Sequence, residues 1–141
     1  FEELVELRIT LEIHAARRAF PYISDIAIAQ LTELDDRMDQ ALAGRDLDAL
    51  TPMHQEFHKA LYSLNPDQAT IPLIESIWLQ LGPFQRQAIE HIDDFTSADH
   101  HKEMLTAMRD RDLPALCAAI ERDVHDGSIR AGRRMLLDTG S

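Results

Sequence analysis

The stretch LDALTPMHQEFHKALYSL, residues 47–64, decides how the rest of this chain is read. Its apolar residues recur at a helical period, with Phe57 and Leu61 marking the face turned to a core. The spacing predicts a helix opening near Asp46, with Pro52 dividing a lead-in turn from the main helix. Asn65-Pro66 then acts as a stop signal. Within it His54 and His58 stand four residues apart. That spacing puts them on one helix face, at roughly 5–6 Å between Cβ atoms, so both imidazoles can aim at one point. His58 adjoins Phe57 and lies three residues before Leu61, beside the buried stripe. Two imidazoles alone do not make a site. A stable one takes three or four protein ligands, imidazole or carboxylate for zinc, nickel or manganese.

Outward from this stretch the same period continues. A first helix runs from about Glu2 to Phe20, with Leu4, Leu7, Leu11, Ala15 and Ala19 as its apolar stripe, and Pro21 ends it. A second is capped by Ser24 or Asp25, carries Ile28, Leu31, Leu34, Met38 and Leu42, and stops at Gly44. A fourth covers about Ile71 to Ile92, and Gly82-Pro83 predicts a kink or two shorter helices. "DDFTSADH" reads as a loop in which Thr96 or Ser97 caps a fifth helix ending near Arg109. Asp112 caps the sixth, Leu113 to about Leu137, where Pro114 is tolerated in the first turn and Gly127 and Gly132 weaken the helix. The last few residues are expected to fray. No hairpin alternation, repeat or linker interrupts the pattern. The expectation is one all-α domain over residues 1–141, an antiparallel bundle of about six to seven helices.

Bulk composition narrows the function. With 141 residues and 45% hydrophobic side chains the chain can bury a core of one domain. A formal net charge of −11 argues against this segment gripping nucleic acid by itself, because phosphate binding needs a basic face. No apolar run approaches the ~20 residues of a membrane span, and nothing reads as a secretory signal. Cys117 is the single cysteine, so neither an internal disulfide nor a CxxC zinc site is available, and a cytoplasmic setting fits. Cys117 itself faces the apolar side of its helix and reads as packing. The chain opens on Phe1 and not on Met, which predicts that it begins inside a longer protein.

Partners for His54 and His58 must come from other helices. His101 lies three and four residues before Met104 and Leu105 and so borders an apolar face. On the sixth helix the choice is between Asp123 and His125. Asp123 follows Ile120 by three residues and Leu116 by seven, on their buried face, where a carboxylate needs a counter-charge. His125 falls about 200° further round, by ~100° per residue, toward solvent. The other histidines have plainer readings: His14 as a core or edge residue, His91 and His100 as solvated. The acidic runs "ELDDRMD" and "HIDDF" read as a solvated face. Glu56 comes two residues after His54, which is not the HExxH arrangement of metalloproteases, and no Ser/His/Asp order or phosphate loop is visible.

Three segments together resemble the all-helical effector-binding domain called FCD, found in GntR-type transcription regulators of the FadR subfamily. They are "ELVELRITLEIHAARRAF", "HQEFHKALYSLNP" and "DHHKEMLTAMRDRDLPALCAAIERDVH", and they span nearly the whole chain. In metal-binding members one Asp and three His hold the ion. Carried over singly, the Asp position falls on His54, and the His positions fall on His58, His101 and Asp123. His thus replaces Asp at one place and Asp replaces His at another, so the inventory of three histidines and one carboxylate is restored. His125 is the fallback for Asp123. The resemblance implies a divalent metal, with zinc first and nickel or manganese also accepted. It further implies a small carboxylate effector completing the coordination, Arg8 pairing with that effector, a homodimer, and DNA contacted only through an N-terminal winged helix-turn-helix domain absent from these residues. An ion pair of Arg8 with Glu12 on the surface is the plainer reading for Arg8. Two other functions were weighed: a metal-free helical dimerisation or interaction module, and a metal-dependent enzyme, for which no acid/base partner stands beside the proposed ligands.

Overall fold

The structure, a computed structural model, describes residues 1–89 and 100–139. Six α-helices follow in order: α1 Glu2–Ala19, α2 Asp25–Ala43, α3 Leu47–Tyr62, α4 Ile71–Ile89, α5 His100–Arg109 and α6 Leu113–Thr139. A 3-10 turn, Phe20–Tyr22, joins α1 to α2. Among the described residues there is no strand, and no helix is long and apolar enough to cross a membrane. The expected all-α bundle is what is found. The stretch "DDFTSAD" before His100, with the capping residues Thr96 and Ser97, His91, and the end of the chain after Thr139 lie outside the described residues.

Local chemistry places the helix ends. The Ser24 hydroxyl accepts from the Ala27 amide at 3.1 Å, and Asp112 Oδ1 accepts from the Ala115 amide at 3.1 Å, so two of the expected caps are made. α2 ends after Ala43, but the residue that turns left-handed is Arg45, at φ 57°, not Gly44. Arg111, at φ 53°, does the same between α5 and α6. In both, the next amide reaches back five residues, Asp46 to Ala41 and Asp112 to Ala107, each at 2.9 Å, which satisfies carbonyls a helix end leaves free. Arg111 is held in place by donating to the Ile23 carbonyl and to Asp25.

The expected division of α3 at Pro52 and of α4 at Gly82-Pro83 into shorter helices is absent. α3 passes through Pro52 and α4 through Pro83 as single helices. Each proline removes one backbone bond, and both prolines are exposed. The carbonyl freed by Pro83 belongs to Leu79, itself 82% exposed, so water can take up the lost partner.

The core is a layer of Phe57, Leu61, Tyr62, Ile74, Trp78, Met104, Met108, Leu116 and Ile120 between the helices. α1 departs from expectation. Leu7 is 46% exposed, while Val5, Arg8, Glu12, Ala15, Ala16 and Ala19 form the buried face. Ala15 and Ala19 are buried as expected and Leu4 and Leu11 half-buried, but the inward stripe of α1 carries charge at its centre, at Arg8 and Glu12. α1 packs on α3, α4 and α6, and α5 packs on α2 and α6, which brings all six helices around one polar interior.

Candidate metal centre

α3 supplies His54, His58 and Tyr62, successive residues of one i, i+4 ladder. Phe57 and Leu61 anchor that helix in the core, so His58 is fully buried beside them, and His54 one turn earlier remains 30% exposed. α5 supplies His101, fixed by Met104 and Leu105 on its inner face and by stacking on Phe57 with ring centroids 4.4 Å apart. α6 supplies Asp123, whose side chain is only 8% exposed because Ile120 and Val124 hold that face inward.

The four converge. Asp123 Oδ2 lies 3.0 Å from His54 Nε2, 3.0 Å from His58 Nε2 and 3.7 Å from His101 Nε2. One donor atom from each of the four falls within 4.8 Å of all the others. His125 is turned outward, 59% exposed, and is not part of the group.

A carboxylate ringed by imidazoles is electrostatically uneasy unless protons or a cation stand between them. Burial alone would raise the Asp123 pKa, but the charge of the histidines, His54 foremost, holds it well below the usual carboxylate range. Burial pushes the His54 imidazole down, to about 4, against the pull of Asp123. Burial works on His58 in the same direction, yet Asp123 and Glu12 outweigh it and raise that imidazole to about 9. His101 is likewise raised by Asp123 and Asp35 over the effect of burial. Its Nε2 is buried without a hydrogen-bond partner, since 3.7 Å to Asp123 is too long for one. A buried lone ring nitrogen, two more imidazoles and a carboxylate form a donor set that suits a divalent ion such as zinc. The residues present therefore fit the group that the resemblance implies.

Behind His58 stands a polar network that sequence reasoning passed over. Glu12 is completely buried. It accepts from Arg8 Nε, from Tyr62 OH at 2.7 Å and from Trp78 Nε1 at 3.3 Å. His58 Nδ1 lies 3.1 Å from Glu12 Oε1 and 3.0 Å from Tyr62 OH. Burial would raise the Glu12 pKa, but Arg8 and then His58 hold it far below its ordinary value. The Arg8–Glu12 pair thus exists, but in the core, with Arg8 3% exposed, and not on the surface.

Asp35 is the second residue missed. It was counted with a solvated acidic run, yet it is 3% exposed on α2, its Oδ1 3.6 Å from His101 Nδ1. A signal was available for both: Asp35 falls four residues after Leu31 and three before Met38, and Glu12 three before Ala15, so each lies on a buried stripe. Two histidines also differ from expectation. His14 is exposed, and His100, only 13% exposed, sits 2.7 Å from Asp126 Oδ2. Glu56 is exposed, and at two residues from His54 and from His58 it stands about 200° round the helix from each.

A second acidic group, Asp35, Asp36 and Asp39, also has donor atoms close enough to hold an ion. There the chain provides its own cation: Lys102 Nζ lies 3.0 Å from Asp35 and 2.7 Å from Asp39.

The geometry can be set beside known proteins. A family model described as "FCD domain" matches residues 3–126. The chain is 24% identical over 114 residues to the "HTH-type transcriptional regulator McbR" of Escherichia coli (strain K12), a match covering 79% of this chain. The same match covers 52% of McbR, so the chain spans about half the length of this curated relative. No solved structure matches significantly.

Proposed function

This chain belongs to the FCD domain family, and from that premise we propose that it is the ligand-sensing domain of a GntR-type transcription regulator. It binds a small carboxylate effector through a bound divalent metal and is not an enzyme. His54, His58, His101 and Asp123 hold the metal, zinc in the first instance. Arg8 pairs with the effector. The domain works as a homodimer in a cytoplasmic protein, and a winged helix-turn-helix domain preceding these residues reads DNA. Residues 1–141 form the single sensing unit of that larger protein.

The observation that carries this reading is the meeting of three imidazole Nε2 atoms on one Asp123 oxygen, with His101 Nε2 buried and unpartnered. A metal held there supplies positive charge and coordination positions open to an anion. The chain's own contribution is to fix the imidazoles in place and to keep water from most of them. Arg8 lies on the Glu12 side of His58, and its guanidinium, already oriented by a carboxylate, is the fork-shaped donor suited to pair with an acid.

The test is a thermal shift screen of small di- and hydroxy-acids on the zinc-loaded domain, with metal content measured in parallel. One zinc per chain and a melting temperature that rises with one class of acid are expected, because an effector that binds only the native state stabilises it by mass action. A purified domain that retains no divalent metal, and that excess zinc does not stabilise, would sink the reading.

A further inference from the structure

His58 and His101 share a geometry that the four donors do not explain. Each turns Nε2 toward Asp123 and Nδ1 toward a second carboxylate that comes from a different helix. For His58 that carboxylate is Glu12 of α1, at 3.1 Å. For His101 it is Asp35 of α2, at 3.6 Å. Both carboxylates are themselves pinned. Glu12 is fixed by Arg8, Tyr62 and Trp78, and Asp35 has its other oxygen 3.0 Å from Lys102 Nζ. Tyr62 gives its hydroxyl proton to Glu12, so on either contact of His58 Nδ1, with the phenol oxygen or with Glu12, the ring nitrogen is the donor.

A proton held at Nδ1 leaves the lone pair of a neutral imidazole at Nε2. Carboxylates placed this way orient a metal-binding ring and raise its basicity. We infer that Glu12 and Asp35 are positioning residues of the metal centre. In the metal-loaded form Glu12 fixes His58 in the Nδ1-protonated form by direct contact, and Asp35, 3.6 Å from His101 Nδ1, favours the same form of His101 by its charge; both leave Nε2 facing Asp123 and connect α1 and α2, which supply none of the four proposed donors, to the site. This rests on the metal-binding reading above. Glu12 has a further consequence because it also holds Arg8. An acid that draws Arg8 off Glu12 alters the hold on His58, so effector and metal are coupled through one carboxylate.

The test compares D35N and E12Q with wild type and with D36N, a control of the same charge change at the exposed neighbouring position. Zinc affinity is measured by competition with a chromophoric chelator. The ring tautomers of His58 and His101 are read from long-range proton–nitrogen correlation spectra. Zinc affinity is expected to fall about 10–100-fold in D35N and in E12Q, at unchanged helical circular dichroism and one site per chain. D36N is expected to stay at the wild-type value. Nitrogen spectra of the zinc-free proteins, taken above about pH 9 where His58 is neutral, should show His101 in D35N, and His58 in E12Q, losing the Nδ1-protonated form that wild type holds. Should E12Q not fold, because it leaves Arg8 buried without its counter-charge, D35N decides alone. Wild-type affinity in the folded variants overturns the inference and leaves the metal reading standing. A weaker affinity with unchanged tautomers overturns it as well, since charge alone would then account for the loss. A wild-type domain that binds no zinc removes both.

Discussion

Two acidic places in this bundle solve the same problem in different ways. Asp35 and Asp39 are neutralised by Lys102, a cation the chain carries permanently and whose pKa is raised further by Asp39 and Asp35. Asp123 faces three imidazoles, which carry a proton or give it up near neutral pH. A lysine closes a site against other cations. An imidazole ring surrenders its proton and offers the freed lone pair to a metal. The two places are adjoining, since His101 lies between Asp35 and Asp123, so the difference is made by side-chain chemistry within one stretch of α5, His101 and Lys102.

The largest expected effect breaks the imidazole side. His58→Ala removes a donor, the link to Glu12 and the hydrogen bond from α3 to α6. Zinc binding is expected to fall from one ion per chain to none, and the acid-induced thermal shift to vanish with it. Metal analysis after gel filtration and the thermal shift assay check both. Retained zinc in a folded His58→Ala domain would place the site elsewhere. His91→Ala is expected to change neither readout.

Next in size is metal removal. Stripping zinc with a chelator is expected to lower the stability of the native state by about 2.7 kcal/mol relative to free zinc at 100 times its Kd. Denaturant melts with and without zinc measure it, and the loss should reverse on adding the ion back.

The pH dependence of the stripped domain is smaller and has a definite sign. His58 has its folded pKa raised from 6.5 to about 9, so its stabilising contribution is complete below 6.5 and is lost as pH rises to about 9. His54 has its folded pKa lowered from 6.5 to about 4, so its contribution is present above 6.5 and is lost as pH falls toward 4. The zinc-free melting temperature is therefore expected to peak near pH 6.5 and to fall by about a few degrees on each side. His58→Gln should flatten the alkaline limb. A limb unchanged in that variant would show that His58 is not the group responsible. Zinc should bind with release of a proton at pH 7, detected as a dependence of the calorimetric heat on buffer ionisation enthalpy.

Sequence periodicity carried most of the fold and the convergence of His54, His58, His101 and Asp123, because Phe57, Leu61, Met104, Leu105, Leu116 and Ile120 mark helix faces unambiguously. On α1 the same rule found Ala15 and Ala19 and the half-buried Leu4 and Leu11 but missed the centre of the buried face, because that centre is filled by Arg8 and Glu12 while Leu7 is exposed. Asp35 was hidden for the converse reason: it sits in a run of acids whose neighbours Asp36 and Asp39 are exposed, and composition alone averages them together. Buried charge is legible only through its partner, and the partners here, His58, His101 and Lys102, lie on other helices. The two prolines inside helices misled in another way, since a lost hydrogen bond disrupts a helix far less where water can replace it.

The smallest expected effect tests whether the lysine-closed place is independent of the imidazole place. Lys102 is half exposed, and the buried Asp35 keeps His101 within 3.6 Å as a second positive partner, so the loss is placed at about 1 kcal/mol, the upper end for exposed pairs. Lys102→Ala is expected to cost about that in a denaturant melt and to leave zinc stoichiometry at one per chain. Opening Asp35 and Asp39 should, however, create a weak second site for a hard divalent cation such as manganese, since two of the three clustered carboxylates would then lack their resident cation. Isothermal titration with manganese on the zinc-loaded variant checks this. A second binding event in Lys102→Ala and none in wild type would establish that what separates the two places is the kind of cation the chain itself supplies. No second event in the variant would mean that Asp36 and Asp39, being exposed, are satisfied by water, and that the closeness of three acids does not suffice to hold an ion.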